Sequence, residues 1–147
     1  MTLRRSTWTI PSLVVVASAV GLACSSTGPK LSPGSLAGSY TLAMVAFVNS
    51  SGSFSSSPPQ ASGVLKLTKS TYKVLAESDT GLKGVPDTLA SDSGTYVVRG
   101  SILVETSATG QSADTATASL RANNDTLDLN VTAPASAVAS YVWVRTQ

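Results

Sequence analysis

Three stretches of the chain alternate apolar and polar residues in pairs of strands separated by a turn, and this feature constrains the fold more than any other. A period of two is typical of β-strands that bury one face. The most legible pair lies between residues 93 and 106, where Gly100 supplies the positive φ that a tight turn needs. A three-residue loop at residues 99–101 predicts two facing pairs, Val98 with Ile102 and Tyr96 with Val104.

The other two hairpins follow the same logic. The hairpin at residues 63–77 turns at Lys69 and Ser70, with the predicted facing pairs Leu65 with Val74 and Leu67 with Tyr72. The hairpin at residues 114–131 turns at Asn123 and Asn124, because asparagine tolerates the left-handed region. Its predicted facing pairs are Ala116 with Val131, Ala118 with Leu129 and Leu120 with Leu127.

A leading strand beginning at Gly38 and a closing strand at residues 140–146 bring the total to eight strands, with no helical period between them. A single open sheet would leave its apolar face in water, whereas rolling it shut buries that face and removes both edges. We therefore predict an all-β fold, an eight-stranded antiparallel up-and-down barrel, with a two-sheet β-sandwich as the alternative. Alternation leaves two inward faces open for the closing strand, Tyr141 with Trp143 or Val142 with Val144.

Two connecting segments are predicted to lie outside the regular hairpins. Residues 49–62 hold seven serines and two prolines, so we predict a loop there, either a lid over a binding site or a passive connection. Residues 78–92 are rich in turn formers and have room for one short edge segment at residues 88–90.

The N-terminus has the pattern of an export signal. Arg4 and Arg5 precede an uncharged apolar core at residues 13–23, which ends in small residues before Cys24. That core has 11 residues, whereas a membrane-spanning helix needs about 20. We therefore predict a cleaved signal peptide at residues 1–23, Cys24 followed by a flexible Ser/Gly/Pro-rich tether to residue 37, and one domain at residues 38–147.

The segment Val20-Gly21-Leu22-Ala23-Cys24 resembles the lipobox of bacterial lipoproteins. The resemblance implies that the Cys24 thiol receives a diacylglycerol and that the new amino terminus is acylated. Two or more acyl chains are enough for stable anchoring, so the expected partner is a membrane. Ser25 resembles the outer-membrane sorting pattern, which implies a lipid-anchored location in the cell envelope, at the outer membrane.

From Gly38 onward the chain resembles the small bacterial lipocalin-like domains. Gly38-Ser39-Tyr40 stands where that family has Gly-x-Trp, and Tyr141-Val142-Trp143-Val144-Arg145 resembles its closing strand. The resemblance implies a small β-barrel lipoprotein that we expect to be monomeric. It also implies that Arg145 stacks on the ring of Tyr40, the alternative being a solvated arginine.

Composition argues against several classes of function. The chain has no histidine and 1 cysteine, which removes the commonest general base, the commonest metal ligand and an internal disulfide. Without Arg4 and Arg5, the 10 basic residues become eight and balance the 8 acidic ones, so no nucleic-acid surface is expected. We interpret Glu77 and Glu105 as solvated charges at strand ends. We expect no enzyme activity and no cofactor.

The acidic residues of one loop were the only candidates for a metal site. Asp79, Asp87 and Asp92 share the segment between two hairpins, but they lack a fixed ligand spacing, which favours turn capping over calcium binding. We therefore expect no metal ion.

Ligand binding is the most specific function that an eight-stranded barrel allows, because its interior is either filled by side chains or holds one small ligand. We predict non-enzymatic binding of a small apolar molecule. The alternative is an envelope protein-protein interaction or protease-inhibitor-like module with a filled barrel, and an interior pocket of several hundred Å³ would distinguish the two. The predicted interior binding residues are Tyr40, Leu42, Leu65, Tyr72, Tyr96, Val104, Ala118 and Leu129.

Overall fold

The computed structural model describes residues 30–49, 52–79, 88–110, 113–121, 123–133 and 138–146. These ranges form one short helix and nine strands. In chain order the elements are α1 (Pro33–Leu36), β1 (Gly38–Asn49), β2 (Gly52–Ser56), β3 (Ala61–Leu67), β4 (Thr71–Ser78), β5 (Thr88–Arg99), β6 (Ile102–Ser107), β7 (Asp114–Leu120), β8 (Thr126–Ala133) and β9 (Val138–Arg145). Within the described ranges, no helix has the length and apolar character needed to cross a bilayer.

Eight of the strands close into an antiparallel barrel. Sheet order follows chain order from β3 to β9, and β1 pairs with β3 on one side and with β9 on the other. The ring closes through eight register pairs between β1 and β9, among them Leu42 with Trp143. The predicted eight-stranded barrel is therefore confirmed, and the alternative of a two-sheet sandwich is wrong. Closure leaves no long unpaired edge on the apolar strands.

The ninth strand, β2, lies in the segment 49–62 that was predicted to be a loop, and the prediction is wrong for its five residues. β3 pairs only with the first part of β1, Gly38 to Thr41, whereas β2 pairs with the last part, Val45 to Asn49. Phe54 of β2 also stacks on Phe47 of β1, with ring centroids 6.3 Å apart. An available edge and an aromatic contact thus override the weak strand preference of a serine-rich sequence.

Two of the three predicted hairpins have the predicted register. In β3–β4, the pairs Leu65 with Val74 and Leu67 with Tyr72 are confirmed. In β7–β8, all three predicted pairs are confirmed, and Asn124 has a positive φ of 59° as its turn requires. Both turns have few conformational alternatives, so they fix the pairing of the strands that they join.

The hairpin β5–β6 differs from the prediction by one residue. Arg99 pairs with Ile102, so the turn consists of Gly100 and one further residue, and the φ of Gly100 is 65°. The slip turns every residue of β6 to the other face. Ile102 is consequently 43% exposed and Leu103 is fully buried, and Val104 lies on the outer face with its partner Val97. The predicted edge segment at residues 88–90 is the beginning of β5.

One end of the barrel, which we call the closed end, is covered by α1. The Tyr40 hydroxyl donates to the Leu36 carbonyl at 2.7 Å, and Leu36 is fully buried. Arg145 donates to the carbonyls of Ala37 and Ser35 at 2.8 Å each and to the Tyr40 hydroxyl at 2.7 Å. Its Cζ atom lies 5.0 Å from the Tyr40 ring centroid. The stack implied by the family resemblance is present, and Arg145 is not simply solvated.

The packed part of the chain begins before Gly38. The Ser32 side chain caps α1 by accepting a hydrogen bond from the Ser35 backbone, and Leu31 packs against the core. The last residues of the expected tether therefore belong to the barrel. The predicted signal peptide, Cys24 and the preceding part of the tether lie outside the described residues.

The closing strand turns its aromatic side chains inward. Tyr141 and Trp143 are 8% and 1% exposed, whereas Val144 is 38% exposed. Large apolar residues fill the closed half of the barrel: Leu42, Leu103, Leu120 and Leu127 are all buried. The half of the barrel at the opposite end, which we call the distal half, is packed differently and contains the candidate site.

Candidate ligand-binding cavity

A cavity of about 590 Å³ occupies the distal half of the barrel. Strands on all sides of the ring contribute to its wall. The cavity itself lies between the closing strand β9 and the central strands β5, β6 and β7. Its apolar lining consists of Phe47, Leu65, Val74, Leu89, Ala90, Ala116, Leu129, Val131, Ala139 and Trp143. The volume lies within the range of about 300 to 1,000 Å³ that is typical of small-molecule sites.

Small side chains explain why the distal half is hollow. Ala90, Ala116 and Ala139 stand at inward positions of β5, β7 and β9 around the cavity. Nearer the closed end, inward positions of the same strands hold larger side chains, Tyr96 on β5, Leu120 on β7 and Trp143 on β9. Replacing a leucine by an alanine removes side-chain volume that neighbours in a closed ring recover only in part.

The cavity has an acidic wall, which we define as Asp92 on β5, Glu105 on β6 and Asp114 on β7. The interpretation of Glu105 as a solvated strand-end charge is wrong, because the one-residue slip of β6 turns its side chain inward. Glu105 is partly buried and pairs with Tyr96 and Asp114 across the neighbouring strands. The described residues that line the cavity include no lysine or arginine.

Of the three carboxylates in the acidic wall, Asp92 is the one that accepts hydrogen bonds from other side chains. The Tyr72 hydroxyl donates to Oδ2 at 2.5 Å, and the Ser107 hydroxyl donates to Oδ1 at 2.7 Å. Burial raises the pKa of Asp92, but the hydrogen bonds from Tyr72, Ser107 and the Ser93 backbone outweigh burial and lower it. The Tyr72 pKa is raised by burial and by its hydrogen bond to Asp92. Asp92 therefore stays ionised at neutral pH.

Glu105 and Asp114 have no side-chain hydrogen bond or ion pair within the described ranges. Burial, together with the charges of Asp114 and Asp92, raises the pKa of Glu105 from its ordinary 4.5 to about 7. Burial and Asp92 raise the pKa of Asp114 as well. The acidic wall thus combines one satisfied carboxylate with two that lack a counter-charge.

Aromatic side chains form the other side of the cavity. Phe47 on β1 meets Tyr141 on β9 edge to face, with ring centroids 6.4 Å apart, and Tyr141 stacks on Trp143 at 5.9 Å. We call these three residues the aromatic wall. Trp143 is 1% exposed, and its Nε1–H has no acceptor among the described residues. A buried donor without an acceptor is uncommon in native structures.

The predicted binding residues fall into three groups according to their position relative to the cavity. Leu65, Tyr72 and Leu129 line it. Tyr40, Leu42, Tyr96 and Ala118 are buried but do not line the cavity. Val104 faces outward, which corrects the prediction that it belongs to the interior, and the cause is again the register of β6.

Sequence reasoning missed the acidic wall altogether. Asp92 and Asp114 carry no local motif, and Asp92 was interpreted as a turn cap although it lies within β5. Asp79 is exposed, and Asp87 lies outside the described residues. Among the residues that the structure describes, no group of three or more acidic, histidine or cysteine side chains is arranged to hold a metal ion.

The lining of the cavity can accept hydrogen bonds, pair with positive charge and exclude water from an apolar body. Carboxylates and hydroxyls are its polar groups, and the chain contains no histidine. Comparisons with protein-family models, curated proteins and solved structures found no match for this chain.

Proposed function

We propose that the chain is a lipid-anchored protein of the bacterial cell envelope whose barrel binds a small, largely apolar molecule without chemical conversion. The observation that carries this proposal is the cavity of about 590 Å³ in the distal half of the barrel. Its wall combines apolar side chains with three carboxylates and several hydroxyl groups, so it suits a molecule with an apolar body and a polar group. The lipocalin-like resemblance of the first and last strands supports the same proposal.

The alternative, a filled barrel that acts through its outer surface, is less well supported because the barrel is not filled. One observation favours it nevertheless. Val64, Leu75 and Val144 lie on neighbouring strands of the outer face and are 54%, 42% and 38% exposed. Patches of this kind mark interaction surfaces when they are large. A ligand that binds at the outer face instead of the cavity would support this alternative.

Ligand binding is tested with N-phenyl-1-naphthylamine, a neutral apolar fluorophore whose emission rises in apolar surroundings. The Cys24→Ser variant of the full chain, purified without detergent, avoids partitioning of the dye into micelles. We expect saturable binding at one site. Ala116→Phe places a ring in the cavity and should weaken binding by at least about tenfold, since the free volume is removed.

Thr117→Phe is the matched control, because Thr117 lies on the same strand and is exposed on the outer face. Melting curves of both variants show whether they fold. Equal binding by the wild type, Ala116→Phe and Thr117→Phe would contradict the proposed site. The absence of saturable binding to the wild type would contradict the proposed function.

Anchoring is tested by the intact mass of the protein extracted from its membrane. We expect the mature chain to begin at Cys24 and to exceed the polypeptide mass by a diacylglycerol and an acyl group, because Val20 to Cys24 resembles a lipobox. The Cys24→Ser variant should lack the added mass. A wild-type protein with an unmodified Cys24 would contradict the anchor but not the binding function.

A further inference from the structure

We propose that the ligand of the cavity is a small organic cation, with an ammonium head that meets the acidic wall and an apolar body that lies along the aromatic wall. This inference rests on the proposed function and specifies the chemical class of the ligand. It departs from the expectation of a purely apolar molecule, because the sequence did not place a carboxylate inside the barrel.

The two walls face each other. In the ring of eight strands, β6 lies four strands from β1 in one direction and four in the other. Glu105 on β6 therefore stands across the cavity from Phe47 on β1, and Tyr141 lies next to Phe47. A ligand that spans the cavity meets a carboxylate at one side and aromatic rings at the other.

The acidic wall lacks a compensating charge. Glu105 and Asp114 are direct register partners on the inner face of β6 and β7. Like charges opposite each other in a sheet are destabilising, and burial increases the penalty. No lysine or arginine is among the described residues that line the cavity. A bound cation would supply the missing counter-charge and reduce the repulsion between the two carboxylates.

The charge of Glu105 acts on groups on both sides of the cavity. Tyr72 on β4 lies beside the acidic wall and Tyr141 on β9 belongs to the aromatic wall, and both line the cavity. The pKa of each hydroxyl is raised first by burial and then, among other causes, by the charge of Glu105. A cation bound between the two walls is therefore attracted by the same charge.

The aromatic wall suits the same ligand. Ring faces attract cations and also pack against alkyl chains, so they favour a molecule that combines both.

An organic cation agrees with the geometry better than a metal ion does. In the described part of the chain, the carboxylates are not grouped closely enough to coordinate one. A cavity of about 590 Å³ also has room for an apolar body, which a hydrated metal ion does not need.

The test compares three displacers with one ten-carbon chain and different heads: decylammonium, decanol and decanoate. Each displaces N-phenyl-1-naphthylamine from the Cys24→Ser variant at pH 8, below its micelle concentration. Because a charge-assisted hydrogen bond is stronger than a neutral one, we expect decylammonium to bind at least about tenfold more tightly than decanol. Decanoate should bind most weakly of the three.

The double variant Glu105→Gln/Asp114→Asn removes the two uncompensated charges and nearly preserves side-chain volume. Its affinities for decylammonium and decanol should lie within about twofold of each other, with the affinity for decanol unchanged. Glu77→Gln, which removes an exposed carboxylate on β4, should leave the preference for decylammonium intact.

The outcomes separate this inference from the proposed function. If the dye binds and the three displacers have equal affinity, the ligand class is wrong and the binding function stands. If the double variant keeps the preference for decylammonium, the placement of the ammonium head at Glu105 and Asp114 is wrong. If decylammonium is preferred by the wild type and by Glu77→Gln but not by the double variant, the inference is supported. If neither the dye nor any displacer binds, both the ligand class and the binding function are wrong.

Discussion

Replacing Glu105 by glutamine should stabilise the protein above neutral pH and change its stability little near pH 4. Burial beside Asp114 and Asp92 raises the pKa of Glu105 from its ordinary 4.5 to about 7, so the fold favours the protonated carboxyl group. Such a group contributes its full stability below pH 4.5, and that contribution is lost as the pH rises through about 7. Glutamine resembles the protonated form at every pH.

The size of the effect follows from the shift. A pKa rise from 4.5 to about 7 corresponds to about 3 kcal/mol of unfolding free energy. For a domain of about 110 residues this free energy raises the melting temperature by roughly 13 °C. The titratable groups that face Glu105 are Asp92, Asp114, Tyr72 and Tyr141. They are the same in both proteins, so the difference between variant and wild type isolates Glu105.

Thermal unfolding followed by circular dichroism at pH 4, 6 and 8 measures this difference. The gain in melting temperature of Glu105→Gln should be near zero at pH 4 and largest at pH 8. Glu77→Gln is the matched control, because Glu77 is exposed on the outer face of β4 and its replacement should have a small effect at every pH. If Glu105→Gln and the wild type have the same melting temperature at pH 8, the placement of Glu105 in the cavity is refuted.

Three further substitutions test the fold by chemical denaturation. Arg145→Lys loses most of four hydrogen bonds and should cost about 2 to 4 kcal/mol. Arg121→Lys, at an exposed ion pair, is the control and should have little effect. Equal effects of the two substitutions would contradict the closed-end network. Gly94→Ala pushes a Cβ into the backbone of β6 and should lower the free energy of unfolding by more than about 2 kcal/mol. Gly34→Ala is the control and should be tolerated. A larger loss of stability in Gly34→Ala than in Gly94→Ala would contradict the β5–β6 pairing. Leu127→Asp buries a charge at a fully buried position and should unfold the domain, so near-normal melting would show that this face of β8 is misassigned.

The barrel was predictable because its turns left little freedom. Lys69 and Ser70 in one hairpin, and Asn123 and Asn124 in another, fix the pairing of strands whose inward positions are mostly apolar. With two registers fixed, the number of strands and the need to hide an apolar face determined the closed sheet.

The site was not predictable because β6 offers two plausible faces. Ile102 and Val104 form one, and Leu103 and Glu105 form the other, so the apolar pattern favours the face without a charge. Gly100 permits a two-residue turn as well as a three-residue turn, and the structure has the shorter one. Only the pairing of β6 with its neighbouring strands decides between the two faces of β6. The local sequence pattern does not contain this information.

Other parts of the fold depended on contacts between distant segments. β2 adds to an edge that exists only because β3 stops pairing with β1 at Thr41, and no pattern in the serine-rich segment indicates this. α1 is held by Arg145, which lies more than a hundred residues away along the chain. The inward face of β9 likewise follows from its pairing with β1, in which Trp143 faces Leu42.

Nuclear Overhauser effects between decylammonium and the protein test the central claim most directly, because they locate the ligand inside or outside the barrel. We expect contacts from the alkyl protons to the rings of Phe47 and Tyr141, which line the cavity. Contacts confined to Val64 and Leu75, which are exposed on the outer face, would contradict the account of an acidic cavity that binds organic cations.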